Sequence, residues 1–189
     1  MPLSASALDE GRTAPEALLK RVTVVVVTYN SAHCLPALAP HLRQCPHVLV
    51  VDNASADGCA QAVASHLPHA SVLALERNLG FGAANNRGLA RVQTEFALLL
   101  NPDCELTPDA LAQLVRSADA WPDAAVLAPQ LCSAQGKAEV NYRWPHTLWA
   151  SKGPAATGPA CVGFVCGAAM LLRLARFADI GFFDERFFL

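Results

Sequence analysis

The stretch Phe96-Ala97-Leu98-Leu99-Leu100-Asn101-Pro102-Asp103-Cys104-Glu105 decides the fold. Five apolar residues in a row, with no polar alternation, describe a strand buried on both faces. Asn101-Pro102 ends it, because a proline biases the residue before it away from the helical region. Asp103 therefore follows the carboxyl end of a central strand, where ligands of open α/β sheets collect. A carboxylate in that place can hold a divalent cation against a phosphate. The same residues also suit a plain turn leading to a helix, with Thr107 as cap and Pro108-Asp109 as its first residues.

The rest of the chain repeats one pattern. Val22 to Thr28 (VTVVVVT), His47 to Asp52 (HVLVVD), Ser71 to Leu75 and Glu95 to Leu100 read as four strands. Between them the spacing predicts a helix capped by Asn30 or Ser31 and running to about Gln44, and one from Asp57 to about His66. A third is expected from Ala83 to Val92 after a glycine loop at Asn78–Gly82. Thr107 to Ala120 is a fourth helix and Ala124 to Ala128 a fifth strand. Strands alternating with helices of this length imply an α/β fold, a mostly parallel sheet covered on both faces. Beyond Pro129 the pattern changes. Gln135 to Trp149 suggests irregular strands or a hairpin, Gly153 to Pro159 a loop, Ala160 to Leu172 a returning strand, and Leu174 to Ile180 a short helix.

Composition narrows the classes. The 189 residues are 53% hydrophobic and 16% charged, which suits one globular domain with a sizeable core. The net charge of −2 and the scattered cationic residues argue against nucleic acid as a partner. Seven cysteines form no C-x-x-C pair, which disfavours a zinc site or a disulfide framework. Cys104 has no activating partner nearby in sequence, so a nucleophile role is not expected. Residues 1–20 lack the basic and apolar regions of a secretory signal and read as a flexible leader, with a short helix from Pro15 to Lys20. Residues 21–189 form the expected domain. Ala160 to Leu172 is too short to span a bilayer. A cytoplasmic protein is expected, with peripheral contact at the inner face of the membrane compatible with this composition.

Several chemistries are disfavoured by what the loops lack. Gly80-x-Gly82-x-x-Asn85 approaches the dinucleotide fingerprint, but its third position is Asn and it follows the third strand rather than the first. Neither a G-x-x-x-x-G-K-[ST] loop nor a G-x-S-x-G elbow occurs. What remains is a row of polar strand ends: Thr28, Tyr29 and Asn30, then Asp52, then Arg77 and Asn78, then Asn101 and Asp103. A parallel sheet brings these to one edge. Tyr29 offers an aromatic face for a base, and Asp52 an acceptor for a base N–H or a ribose hydroxyl. Asp103 offers a metal ligand for a diphosphate. Each also has a local role available, as half-buried ring or turn former.

Six stretches carry a resemblance beyond these separate readings. They are Val22–Ser31, Val50–Gly58 (VVDNASADG), Arg77–Gly88 (RNLGFGAANNRG), Leu99–Asp103 (LLNPD), Gly167–Leu171 (GAAML) and Gly181–Phe188 (GFFDERFF), in that order. From Val22 onward the chain resembles family 2 glycosyltransferases of the GT-A fold, and most of all the rhamnosyltransferase-like branch. The resemblance implies a Rossmann-like α/β/α sandwich. It implies an inverting enzyme that moves a sugar from a nucleotide diphosphate donor, UDP- or dTDP-linked, to a saccharide or lipid-linked acceptor in surface polysaccharide synthesis, with Mg²⁺ or Mn²⁺.

Carried over by position, Tyr29 and Asp52 hold the nucleobase, Arg77 and Asn78 sit near base and ribose, and Thr28 and Asn30 count with them among the nucleotide-sugar-binding residues. Asp103 fills the last place of the D-x-D motif and is the metal ligand. Asn101 stands where the first Asp would be, leaving one carboxylate. The family's general base is an Asp shortly after the Phe-Asp-Glu-Arg-Phe-Phe segment, so it is expected beyond Leu189; Asp184 and Glu185 do not occupy its position. The chain thus reads as a donor-binding portion whose catalytic and acceptor part is missing. A non-catalytic nucleotide-binding module is the alternative. A sugar nucleotidyltransferase is a weaker one, since Thr28-Tyr29-Asn30-Ser31 lacks the glycines and basic residues of a triphosphate loop. The apolar end around Phe187-Phe188-Leu189 suggests self-association.

Overall fold

The structure, a computed structural model, describes residues 13–145 and 156–188. In chain order it contains α1 (Pro15–Leu19), β1 (Val22–Thr28), α2 (Leu35–Leu42), β2 (His47–Asp52), α3 (Cys59–His66), β3 (Ser71–Ala74), α4 (Gly80–Leu89), β4 (Phe96–Leu100), α5 (Pro108–Ala120) and β5 (Val126–Leu127). Short strands follow: β6 (Leu131–Cys132), β7 (Ala138–Glu139), β8 (Tyr142–Arg143), β9 (Phe164–Val165) and the longer β10 (Ala169–Arg173).

The main sheet has the order β3-β2-β1-β4-β10-β5. Its first four strands are parallel, with Thr28 opposite Asp52 and Val25 opposite Leu99. The ends of β1, β2 and β4 therefore share one edge. Alternate side chains of β1 feed two cores. Val24 and Val26 pack with α1, α2, α3 and α5, whereas Val25 and Val51 pack under α4. At the opposite edge, Phe96 is fully buried between two guanidinium groups, Arg21 and Arg173, whose Cζ atoms lie 5.2 and 4.8 Å from the ring centroid.

Several boundaries differ from the sequence reading. The packed chain starts before residue 21: α1 buries Leu18 and Leu19 in the core, so only the described residues before Pro15 are left as leader. Residues 1–12 lie outside the described residues, as do 146–155, which include the ends of the expected hairpin and loop. The helix after β1 starts late, with a 3-10 turn at Ala32–Cys34 before α2. Neither Asn30 nor Ser31 caps it. Ser31 Oγ donates instead to the Tyr29 carbonyl (3.1 Å), and the cap comes from Asp57, whose Oδ2 accepts from Ala32 N at 2.8 Å.

Gly80–Gly82 is not a loop but the first turn of α4, which ends at Leu89 rather than Val92. Tertiary packing overrides the low helix propensity of glycine there. The fifth strand keeps only Val126–Leu127 and pairs antiparallel with β10, which lies between it and β4.

Candidate functional site

Loop chemistry at the sheet edge builds the site. Asn30 adopts a left-handed backbone (φ 52°), which asparagine tolerates better than most residues. This turns the chain sharply after Tyr29. The loop is then stitched to the one after β2: Asn30 N donates to Ser55 Oγ (3.0 Å) and Asn30 Oδ1 accepts from Ala56 N (2.9 Å). Asp52 belongs to the same seam. Its Oδ1 accepts from Ser55 N (3.2 Å) and from Thr28 Oγ1 (3.5 Å).

A second seam joins β2 to the start of α4. Asn53 is buried; its Nδ2 donates to Asn78 Oδ1 (2.7 Å) and its Oδ1 accepts from Leu79 N (2.8 Å). Asn78 Oδ1 also accepts from Gly80 N (2.8 Å), satisfying an N–H at the beginning of the helix. Asn78 Nδ2 makes no hydrogen bond among the described residues, so it remains a donor for a ligand.

Between these loops and the end of β4 opens a cavity of about 450 Å³, lined by Tyr29, Asn30, Asn53, Asn78, Asn101 and Asp103, with Val27, Ser31, His33, Cys34, Gly80, Phe81 and Pro102. That volume lies within the usual range for small-molecule sites. Tyr29 is 51% exposed and forms part of its wall. Of the residues singled out in the sequence, Tyr29, Asn30, Asn78, Asn101 and Asp103 come together here. Thr28 is fully buried and Asp52 nearly so, and neither lines the cavity. Arg77 faces a neighbouring cavity of about 330 Å³ with Arg87, Glu185 and Phe188.

Sequence reasoning missed Asn53 and Phe81. An asparagine directly after a strand-ending Asp was a usable signal for the first. Phe81 was hidden inside what reads as a glycine loop.

Among the described residues, Asp103 is the one carboxylate lining the larger cavity. The Cys104 thiol lies 3.7 Å from its Oδ1. Burial, reinforced by the negative charge of Asp103, pushes the Cys104 thiol up to about 11. The same two causes raise Cys34, on the cavity wall. A raised thiol pKa disfavours the thiolate at both positions.

No group of three or more His, Cys, Asp or Glu side chains among the described residues could hold a metal ion. One carboxylate and the Asn101 amide do fit a hard divalent cation that draws most of its ligands from a diphosphate and water. No helix among the described residues is long and apolar enough to cross a membrane.

Known proteins resemble the chain in sequence and in fold. The chain is 27% identical over 201 residues to N-acetylglucosaminyl-diphospho-decaprenol L-rhamnosyltransferase of Mycobacterium tuberculosis, covering 88% of this chain and 66% of the relative. Succinoglycan biosynthesis protein ExoO of Rhizobium meliloti is 36% identical over 52% of this chain and 30% of its own. Among solved structures, S. aureus TarS superposes with a TM-score of 0.66 at 22% identity, over 89% of this chain and 52% of that one. The mannosyltransferase PcManGT of Pyrobaculum calidifontis, solved with GDP-Man and Mn²⁺, gives 0.65 at 20% identity, over 87% and 48%.

The fold is thus that of GT-A glycosyltransferases, and the chain spans about two thirds or less of each of these relatives. The glycosyl transferase family 2 profile matches residues 23–176, most of the chain, and the chain belongs to that family.

Proposed function

We propose that this chain forms the donor-binding part of an inverting glycosyltransferase. It would take a sugar from a UDP- or dTDP-linked donor and pass it to a saccharide or lipid-linked acceptor in surface polysaccharide synthesis, at the inner face of the cytoplasmic membrane. The carrying observation is the placement of Asp103 on the wall of the same cavity as Tyr29 and Asn78, at the carboxyl ends of parallel strands. The M. tuberculosis relative, named for a lipid-linked diphosphate acceptor, supports the acceptor class.

In this reading the exposed ring of Tyr29 receives the nucleobase, and Asn78 Nδ2 donates to the nucleoside. Asp52 acts on the base through the loop it braces, since its Oδ1 is engaged by Ser55 N and Thr28 Oγ1. Arg77 lies just outside, where its charge meets the ribose side of the donor. Asp103, with Asn101, holds Mg²⁺ or Mn²⁺; such an ion, when bound, stabilises the departing diphosphate. The general base is supplied by residues outside those described.

Calorimetry of the chain with UDP and dTDP, with and without Mn²⁺, tests this. Asp103→Ala should abolish the metal-dependent part of binding, and Asp52→Ala should weaken nucleoside binding even without metal. Unchanged metal-dependent binding by Asp103→Ala would refute the metal role. A chain that binds but neither hydrolyses nor transfers the sugar is the non-catalytic module. Consumption of a nucleoside triphosphate with a sugar phosphate would instead make it a nucleotidyltransferase.

A further inference from the structure

Phe81, in the first turn of α4, lines the donor cavity, and its ring is held by two distant parts of the chain. A Cβ placed on Gly167 would lie 3.1 Å from Phe81 Cζ, so the ring lies directly against that glycine. On another side the Phe183 ring meets it edge-on, with centroids 5.7 Å apart and planes at 81°. Phe183 belongs to residues 181–188, which run along α4.

Three contacts seat that segment. Asn86 clasps the backbone of Phe183 from both sides: its Oδ1 accepts from Phe183 N (3.1 Å) and its Nδ2 donates to the Phe183 carbonyl (2.9 Å). The same Nδ2 lies 3.1 Å from Glu185 Oε1, and Arg87 Nη1 donates to that oxygen at 2.8 Å. Gly82 completes the seat, because a Cβ there would come within 3.1 Å of Phe183 Cβ.

We propose that Asn86 is a positioning residue for the donor cavity: by fastening Phe183 to α4 it fixes the ring of Phe81 as a wall of that cavity, so that seating of residues 181–188 and nucleotide binding favour each other. The inference rests on the donor-site reading above. It adds that donor affinity is set partly by a segment that does not line the donor cavity. Linkage requires the coupling to run both ways. A bound nucleotide diphosphate should therefore protect the Phe183 amide, and loss of the clasp should weaken nucleotide binding.

Hydrogen exchange and calorimetry on the 189-residue chain, with UDP plus Mn²⁺ as probe, test both directions. In the nucleotide-free protein, Asn86→Ala should speed exchange in residues 181–188 and also around Phe81. It should raise the Kd for UDP by about fivefold or more, within the range usual for coupled sites. Phe183→Leu keeps the backbone clasp and removes the ring contact, so it should weaken UDP without freeing residues 181–188. It also covers the case in which Asn86→Ala fails to fold. Unchanged UDP affinity in both variants, beside normal binding by the wild type, would overturn the coupling alone. No UDP binding by the wild type would overturn the donor-site reading and the coupling with it.

Discussion

Cys104 and Cys45 show how burial sets the chemistry of a thiol. Burial, reinforced by the Asp103 carboxylate, holds the Cys104 thiol near 11, and burial alone does the same for Cys45. At pH 8 only about one in a thousand such thiols is ionised. Iodoacetamide at pH 8 should therefore label the exposed Cys132 and Cys161 first and leave Cys45 and Cys104 until last. The Cys104 rate should rise about tenfold per pH unit up to its pKa. Peptide mapping showing Cys104 labelled as fast as Cys132 at pH 8 would contradict this environment.

At the same scale, the polar strand ends were legible because each follows an apolar run that stops at a turn residue. Their division of labour was not. Asp52 and Thr28 look as available as Tyr29 in sequence, yet hydrogen bonds to Ser55 N and Val51 O draw them into the seam. The Thr28 bond joins residues 23 apart, of which local pattern carries no trace, whereas the Asp52 bond to Ser55 N is a local turn contact.

Among the elements, α4 departs furthest from its sequence. Glycine-rich Gly80–Gly88 looks like a loop followed by a helix, yet Gly82 and Gly88 are places of close approach. At Gly88 a Cβ would lie 2.8 Å from Val25 Cγ1 and 2.9 Å from Val51 Cγ2, so α4 rests directly on the sheet there. Gly88→Ala must push β-branched side chains that have little freedom to move. It should destabilise the protein by about 1–3 kcal/mol, read as a lower midpoint in urea unfolding. An unchanged midpoint would mean that helix and sheet separate easily. The strands were the most legible elements, since β1, β2 and β4 are continuous apolar runs whose type and limits need little tertiary information. The capping of the turn after β1 was not, because Asp57 supplies it from the next loop.

For the whole molecule, the α/β class followed from alternation, but the place of β10 did not. An apolar return was readable at Ala160 to Leu172; its insertion between β4 and β5 is a matter of strand order, which periodicity does not encode. The surface carries a second consequence. Ile180, Phe187 and Phe188 are 79%, 66% and 68% exposed, at one end of the described chain. The chain as it stands should self-associate through them. Sedimentation velocity should show a concentration-dependent species that Phe187→Ser with Phe188→Ser removes; a monomer at all concentrations would refute it.

The antiparallel strand β10 also imposes a timetable on synthesis. β4 finds β1 already made, but its other edge stays open until Ala169–Arg173 emerges. With roughly 70 residues still to be added at about 5–20 residues per second, the nascent chain presents this apolar edge for about 3.5–14 s. Ribosome-stalled chains ending before Ala169 should be cut by protease within β4 more readily than chains stalled well beyond Phe177. Equal cutting would show that β4 is guarded before its neighbour arrives.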